Sequence, residues 1–495
     1  MLKKIRISIA VVILIAVTVL FLDFTGVVHA YLGWSARIQF VPAFYAKNFA
    51  IFFSLILLTL ILGRIKCSVL CPLGIYQDIV SKISRIRKKN RFSYRPARKI
   101  LRYTILGCFV VSLVAGLGFI TVLLEPYSIY GRIISQIFQP AYLWLNNGLA
   151  YFAERMDSYA FYNVDVWVRS GIALMVGILS FIIIGIFAWK SGRGYCNSIC
   201  PVGSFLSLFT KFSLFKIYID KDKCNSCGLC EKKCKSACIN SKLQTIDYTR
   251  CVTCYNCIDN CPQGCISYTY KRNKEHQPSL INEENTSRRG FISGSVLFFL
   301  GIFTRSFAQY FEFDGGLAPL EPKKSPSRSH PIIPPGAENI RNFRRRCTGC
   351  QLCVSACPNH VLRADKGING FLQPHLSFEK GFCRPECVRC SQICPTLAIT
   401  PITTVEKSAT QIGYAVWKSD LCVVNVDNVT CDLCSHSCPA AAITLVAKDP
   451  ENPRSLRIPI IDIGRCIGCG ACEYLCPARP YSAIYVEGID THRTV

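Results

Sequence analysis

Long apolar runs at residues 7–22, 44–62, 101–124 and 171–189 dominate the first part of the chain. Each reaches, within a few residues, the roughly 20 that a helix needs to cross a hydrocarbon core. Between the third and fourth, residues 129–156 mix Tyr, Trp and Phe with Gln and Asn, as an interfacial amphipathic helix does. Such a helix would cover a lipid-soluble substrate or form an aromatic belt. A shorter uncharged run covers 290–304, and beyond it apolar positions come in brief stretches separated by Gly, Pro, Asn and Asp. Those stretches predict short strands and helices in compact α+β domains, not further spans.

Charge gives the spans a direction. The chain of 495 residues is 51% hydrophobic and carries a net charge of +26. Residues 309–495 hold 20 Lys and Arg against 17 Asp and Glu, so nearly all the excess lies upstream, beside the apolar runs. Residues 64–99 hold eleven Lys and Arg against Asp78 alone, whereas 125–170 hold three against four acids. The positive-inside rule then places the N-terminus and the 64–99 loop in the cytoplasm and the 125–170 loop outside. This distribution belongs to a membrane protein and implies no nucleic-acid partner.

The short run at 287–308, SRRGFISGSVLFFLGIFTRSFA, opens on Arg288-Arg289 and closes on small residues at Ala308. A basic start, a brief apolar core and a small-residue end resemble a twin-arginine export signal or anchor. In the middle of a chain, this predicts a membrane half joined to an exported half. The plainer alternative is a pair of arginines flanking the cytoplasmic end of a helix.

Thirty-one cysteines carry the chemistry. Gly-Arg-x-x-Cys-x-x-x-Cys-Pro-x-Gly occurs at 63–74 and again at 192–203, with Cys67 and Cys71 in one copy and Cys196 and Cys200 in the other. Four-residue spacing sets each pair on one face of a helical turn. Two copies supply four thiolates, for a further iron–sulfur cluster or for redox-active dithiols. Next, Cys224, Cys227, Cys230 and Cys234 with Cys251, Cys254, Cys257 and Cys261 make a two-cluster ferredoxin pattern. In that pattern three thiolates wrap one cluster and the fourth reaches the other. The expected 4Fe–4S sets are Cys224, Cys227, Cys230, Cys261 and Cys251, Cys254, Cys257, Cys234. Lys235 stands where proline is usual, and Cys238 and Cys265 fall in a small-residue core slot.

Six prolines between 319 and 335 read as an extended linker. Four further cysteine groups follow. The expected exchange of fourth ligands is outer with outer: Cys347, Cys350, Cys353 with Cys476, and Cys466, Cys469, Cys472 with Cys357. The inner groups would do likewise, Cys383, Cys387, Cys390 with Cys438 and Cys422, Cys431, Cys434 with Cys394. Six 4Fe–4S clusters are thus expected, and a seventh if the repeat holds one. The domains read as a four-span region with two repeats at 1–210, a cytoplasmic ferredoxin at 211–275, the export-like segment at 287–308, a linker at 309–346 and a periplasmic four-cluster domain at 347–495.

With these motifs in place, residues 1–275 resemble the NapH-type membrane quinol dehydrogenase subunit, and residues 287–495 resemble its NapG-type periplasmic partner. The fold class implied is a membrane α-helical domain of four spans, plus the twin-arginine segment, followed by α+β ferredoxin-like domains. The resemblance implies an inner-membrane protein that takes electrons from the quinol pool and passes them to a periplasmic reductase or cytochrome. Related pairs accompany nitrous oxide reductase and methylamine dehydrogenase systems. Asp23 and Glu125, at the expected outer ends of spans, are the candidate acids for the protons of quinol. A cytoplasmic electron donor and a redox factor for metalloenzyme assembly are the competing readings.

Overall fold

The structure, a computed structural model, describes residues 1–88, 92–158, 160–270, 321–452 and 455–495. The export-like segment at 287–308 lies outside these residues. Helix α1 (Leu2–Leu22) buries Ile13, Val17, Leu20 and Phe21 on one side and leaves Val11, Val12 and Ile15 open on the other. α2 (Phe49–Leu62) starts where the Asn48 side chain accepts from Ile51 N at 3.2 Å and stops at Gly63, φ +75°. α3 (Pro72–Lys88) follows the first Cys-Pro turn. α4 (Lys99–Ala115) ends at Gly116, whose φ of +72° suits glycine, and α5 (Gly118–Leu124) and α6 (Pro126–Ile133) follow. α7 (Gly171–Ser191) turns Ala173, Gly177 and Ala188 inward, so the backbone of α6 comes close. α8 (Pro201–Thr210) follows the second Cys-Pro turn.

Among the described residues, α1 and α7 are long and apolar enough to cross a membrane. The other two expected spans differ from the sequence pattern. α2 has 14 residues, about 21 Å of helix against a core of roughly 30 Å. The 101–124 run is broken at Gly116, and the chain after the break runs beneath the cluster domain, with Val122 against Gly349.

Residues Met1–Lys271 and Lys323–Val495 fold as one unit. Three helices each join its two ferredoxin regions. At one end Lys3 pairs with Asp259 at 2.9 Å, Arg102 donates to Thr249 O at 3.0 Å, and Arg193 N donates to Lys235 O at 2.9 Å. At the other end Arg389 donates to Phe24 O at 3.1 Å, Arg345 lies over Gly116, and Arg169 donates to Val354 O at 2.6 Å.

The ferredoxin regions are sparse in strand. In the small one, β1 (Phe215–Ile219) pairs antiparallel with β2 (Ile266–Tyr270), Phe215 opposite Tyr270. In the large one, β3 (Thr410–Trp417) pairs with β6 (Ile484–Thr494), and β4 (Ile443–Ala447) with β5 (Arg457–Ile461). The proline-rich stretch is not a free linker from residue 323 onward. Lys323 Nζ donates to the carbonyls of Glu473 and Tyr474, Arg328 pairs with Glu473 at 2.6 Å, and Ile332 and Ile333 are buried. Prolines hold the strap extended, and its polar backbone is answered from the domain it crosses: Ser329 N and His330 N both donate to Glu487 Oε1.

Candidate metal centres

The repeat closes a site. Cys67, Cys71, Cys196 and Cys200 line one small cavity together with Arg64, Lys66, Glu125 and Phe40. Pro72 and Pro201 begin the helices that follow, where proline is preorganised. A Cβ on Gly74 would overlap the Cys67 carbonyl oxygen, and one on Gly203 that of Cys196. Close backbone approach therefore fixes glycine at the end of each motif.

Charge in this cavity favours thiolate at Cys67, whereas burial holds Cys71, Cys196 and Cys200 above the usual value. Arg64 and Arg193 are at most 1% exposed. Arg64 Nη2 donates to Cys196 O at 3.3 Å, and Arg193 Nη1 donates to Cys67 O. Burial opposes ionisation of Cys67, yet Arg64, Lys66 and Arg193 hold its thiol below the usual value. Burial, with Cys196 nearby, pushes Cys71 up to about 12. Gln77 Nε2 donates to the Cys196 sulfur at 3.1 Å and Gly203 N to the Cys200 sulfur at 3.4 Å. Buried cations around four thiols, with N–H donors on the sulfurs, fit an anionic 4Fe–4S cluster.

Asp23 and Glu125 lie apart. Asp23, at the end of α1, accepts from Thr25 N and Gly26 N at 2.9 Å and meets His29 Nδ1 at 2.8 Å. Glu125 is not at an outer, solvent-facing helix end. The break at Gly116 redirects the chain, and Glu125 sits 1% exposed, capping α6 through Ser128 N and lining the four-cysteine cavity.

In the small ferredoxin, Cys224, Cys227, Cys230 and Cys261 line one cavity, and Cys234, Cys251, Cys254 and Cys257 another. Cys265 and Cys238 line the same two cavities, 3.2 Å and 3.6 Å from Cys261 and Cys234.

In the large domain the expected exchange of fourth cysteines is overturned. Cys347, Cys350 and Cys353 meet Cys394, not Cys476, and Cys422, Cys431 and Cys434 meet Cys476, not Cys394. Cys357 lies within electrostatic reach of Cys383 and Cys390, which also feel Cys387. Cys438 stands likewise to Cys466, Cys469 and Cys472. Neighbouring motifs pair because shorter loops lose less chain entropy on closure. Among the described residues no three Cys, His, Asp or Glu converge as a single metal ion needs. Four thiols in each set are the ligand number of a 4Fe–4S cluster.

Sequence reasoning missed Arg64, Arg193 and Asp78, which accepts from Arg193 Nε and Nη2 at 2.8 Å, and it misplaced Glu125. Asp78 had a signal, being the one acid among eleven cations in its loop. Arg64 and Arg193 had one too, as matched positions of the repeat, whereas nothing local marked Glu125 as an interior residue.

Comparison with known proteins finds iron–sulfur binding families over the repeat and over the large domain. A 4Fe-4S binding domain family matches residues 48–91 and 173–219, one match over each repeat. A 4Fe-4S dicluster domain family matches 346–423 and 429–479, the two halves of the large domain. The ferredoxin-type protein MauM of Methylophilus methylotrophus, named for methylamine utilization, is 34% identical over 30% of this chain and 69% of its own length. NapF of Escherichia coli K12 is 29% identical over 32% of this chain and 88% of its own, and NapG of Haemophilus influenzae 29% over 30% and 55%. No solved structure matches the chain.

Proposed function

The chain belongs to the ferredoxin-type protein family that includes MauM, and on that premise we propose that it is a membrane-bound iron–sulfur relay. It draws electrons from the quinol pool and delivers them to a periplasmic reductase or cytochrome. The small ferredoxin faces the cytoplasm, and the large cluster domain, carried by the segment at 287–308, faces the periplasm. The 24 cysteines of the ferredoxin motifs hold six 4Fe–4S clusters. Cys67, Cys71, Cys196 and Cys200 hold a seventh, which supplies a one-electron stop between the two regions.

One observation carries this reading. A single buried core contains the repeat cysteines, Cys254 of the small ferredoxin, and Cys350, Cys353, Cys383 and Cys394 of the large domain. A continuous, water-poor path of sulfur sites is what a relay needs. The chain's own part is to hold these sites and offset their charge with Arg64, Lys66 and Arg193.

The test is anaerobic mixing of purified protein with a menaquinol or ubiquinol analogue, followed by cluster absorbance. Bleaching at a rate that saturates with quinol is expected. No bleaching with either quinol would overturn quinol as donor. It would favour a soluble cytoplasmic donor, a reading supported by the exposed Cys227 of the small ferredoxin.

A further inference from the structure

Both two-fold repeats of the molecule, that of the Cys-x-x-x-Cys-Pro motifs and that of the small ferredoxin, meet at matched contacts. In the first copy, Gly63 faces Thr253 Oγ1, and Arg64 Nη1 donates to Thr249 O at 2.9 Å. These residues flank Cys251 and Cys254. In the second copy, Gly192 has φ +62°, a Cβ there would overlap the Lys235 carbonyl, and Arg193 N donates to that carbonyl at 2.9 Å. Lys235 follows Cys234. Each Gly-Arg pair thus seats a different ferredoxin motif, yet both touch residues beside cysteines of the same set, Cys234, Cys251, Cys254 and Cys257.

We infer that the two Gly-Arg pairs are docking sockets for the small ferredoxin, that this second cysteine set is the one exchanging electrons with the four-cysteine site, and that Asp78 is the positioning residue latching the two together. The inference rests on the relay reading for its electron step, whereas the docking stands on contacts alone.

Asp78 occupies the joint. Arg193 Nε and Nη2 each donate to it at 2.8 Å, Lys235 Nζ at 2.5 Å and Arg6 Nη1 at 3.3 Å. Its side chain is 14% exposed, and those of Arg193 and Lys235 are nearly sealed. Three cations on one carboxylate leave net positive charge between the two cysteine sets. Positive charge favours the arrival of an electron on either side. The lysine that departs from the usual Cys-Pro is therefore the ferredoxin's half of the latch. The through-bond route is short: Cys234 leads to the Lys235 carbonyl, one hydrogen bond leads to Arg193, and three residues on is Cys196.

The experiment uses the full chain, anaerobically purified, with Asp78→Asn and Lys235→Gln variants. Iron content should be kept. Amide exchange at Arg193 should rise roughly tenfold or more in both variants. Magnetic coupling between the second-set and four-cysteine signals should weaken, and the midpoint potential of the second set should fall in Lys235→Gln. Unchanged exchange and coupling in both variants would overturn the latch. Should Asp78→Asn not assemble, Lys235→Gln decides, since the Asp78–Arg193 pair survives it. Should the wild type hold no cluster at the repeat, the electron step fails with the relay reading, and amide exchange still judges the docking.

Discussion

Arg64 and Arg193 stand in each other's place: each guanidinium reaches across the repeat to the carbonyl of the other copy's first cysteine. Neither copy can therefore form its half of the site alone. With Cys67 and Cys196 both changed to alanine, iron should drop from about 28 to about 24 per chain, the loss of one 4Fe–4S cluster. Gly203→Ala should do the same by pushing the Cys196 carbonyl aside. Iron near 24 in the wild type would leave redox thiols as the reading of the repeat.

Acid should loosen the joint at Asp78. Burial opposes its ionisation, but Arg193 and Lys235 hold the carboxyl well below the usual carboxylate range. With the folded value depressed, the unfolded chain takes up the proton first as pH falls. Stability is full above the unfolded value of about 3.9 and is lost progressively below it. Thermal unfolding of the solubilised protein should show this decline, and Asp78→Asn should flatten it. The same slope in both proteins would place the acid sensitivity elsewhere.

Serine substitutions can separate the two pairings of the large domain. Cys394→Ser should perturb the cluster signal of the Cys347, Cys350, Cys353 set, and Cys476→Ser that of the Cys422, Cys431, Cys434 set. Electron paramagnetic resonance of the two variants would reveal the reverse assignment if outer motifs exchanged ligands after all.

Arg328→Ala breaks a buried ion pair with Glu473, whose side chains are 8% and 4% exposed. Removing one partner of such a pair costs about 3 kcal/mol. The expected result is a lower melting temperature and easier cluster loss from the large domain. A variant with normal clusters and only slower delivery to a soluble partner would restore the strap as a mere tether.

Reporters fused after Tyr270 and after Val495 should give opposite compartment signals. Changing Arg288 and Arg289 to lysine should hold the second reporter inside while the upstream helices insert normally. Matching signals from both fusions would refute the two-sided arrangement.

Spacing made the cysteine sets of the small ferredoxin legible, because Cys234 and Cys261 sit at fixed offsets from loops that must wrap a cluster. The convergence of Cys67, Cys71, Cys196 and Cys200 was legible from the repeat. The partners of Cys394 and Cys476 were not, since motif regularity carries no information about which loops lie adjacent in space. Glu125 was misplaced for a related reason: hydropathy over 101–124 is continuous, and one glycine with positive φ decides whether the chain crosses or turns. The proline-rich strap misled because proline favours an extended backbone whether it lies free or against a domain. The contacts of Lys323 and Arg328 and the burial of Ile332 and Ile333 distinguish the two cases.

α1 runs from Lys3 beside the small ferredoxin to Asp23 beside the large domain, and 21 residues of helix measure about 30 Å. The helices act as a ruler between two redox regions, and tunnelling probability decays exponentially along it. On the proposed relay reading, the repeat cysteines divide that span into shorter steps, and conduction across the protein would be switched by the occupancy of one site.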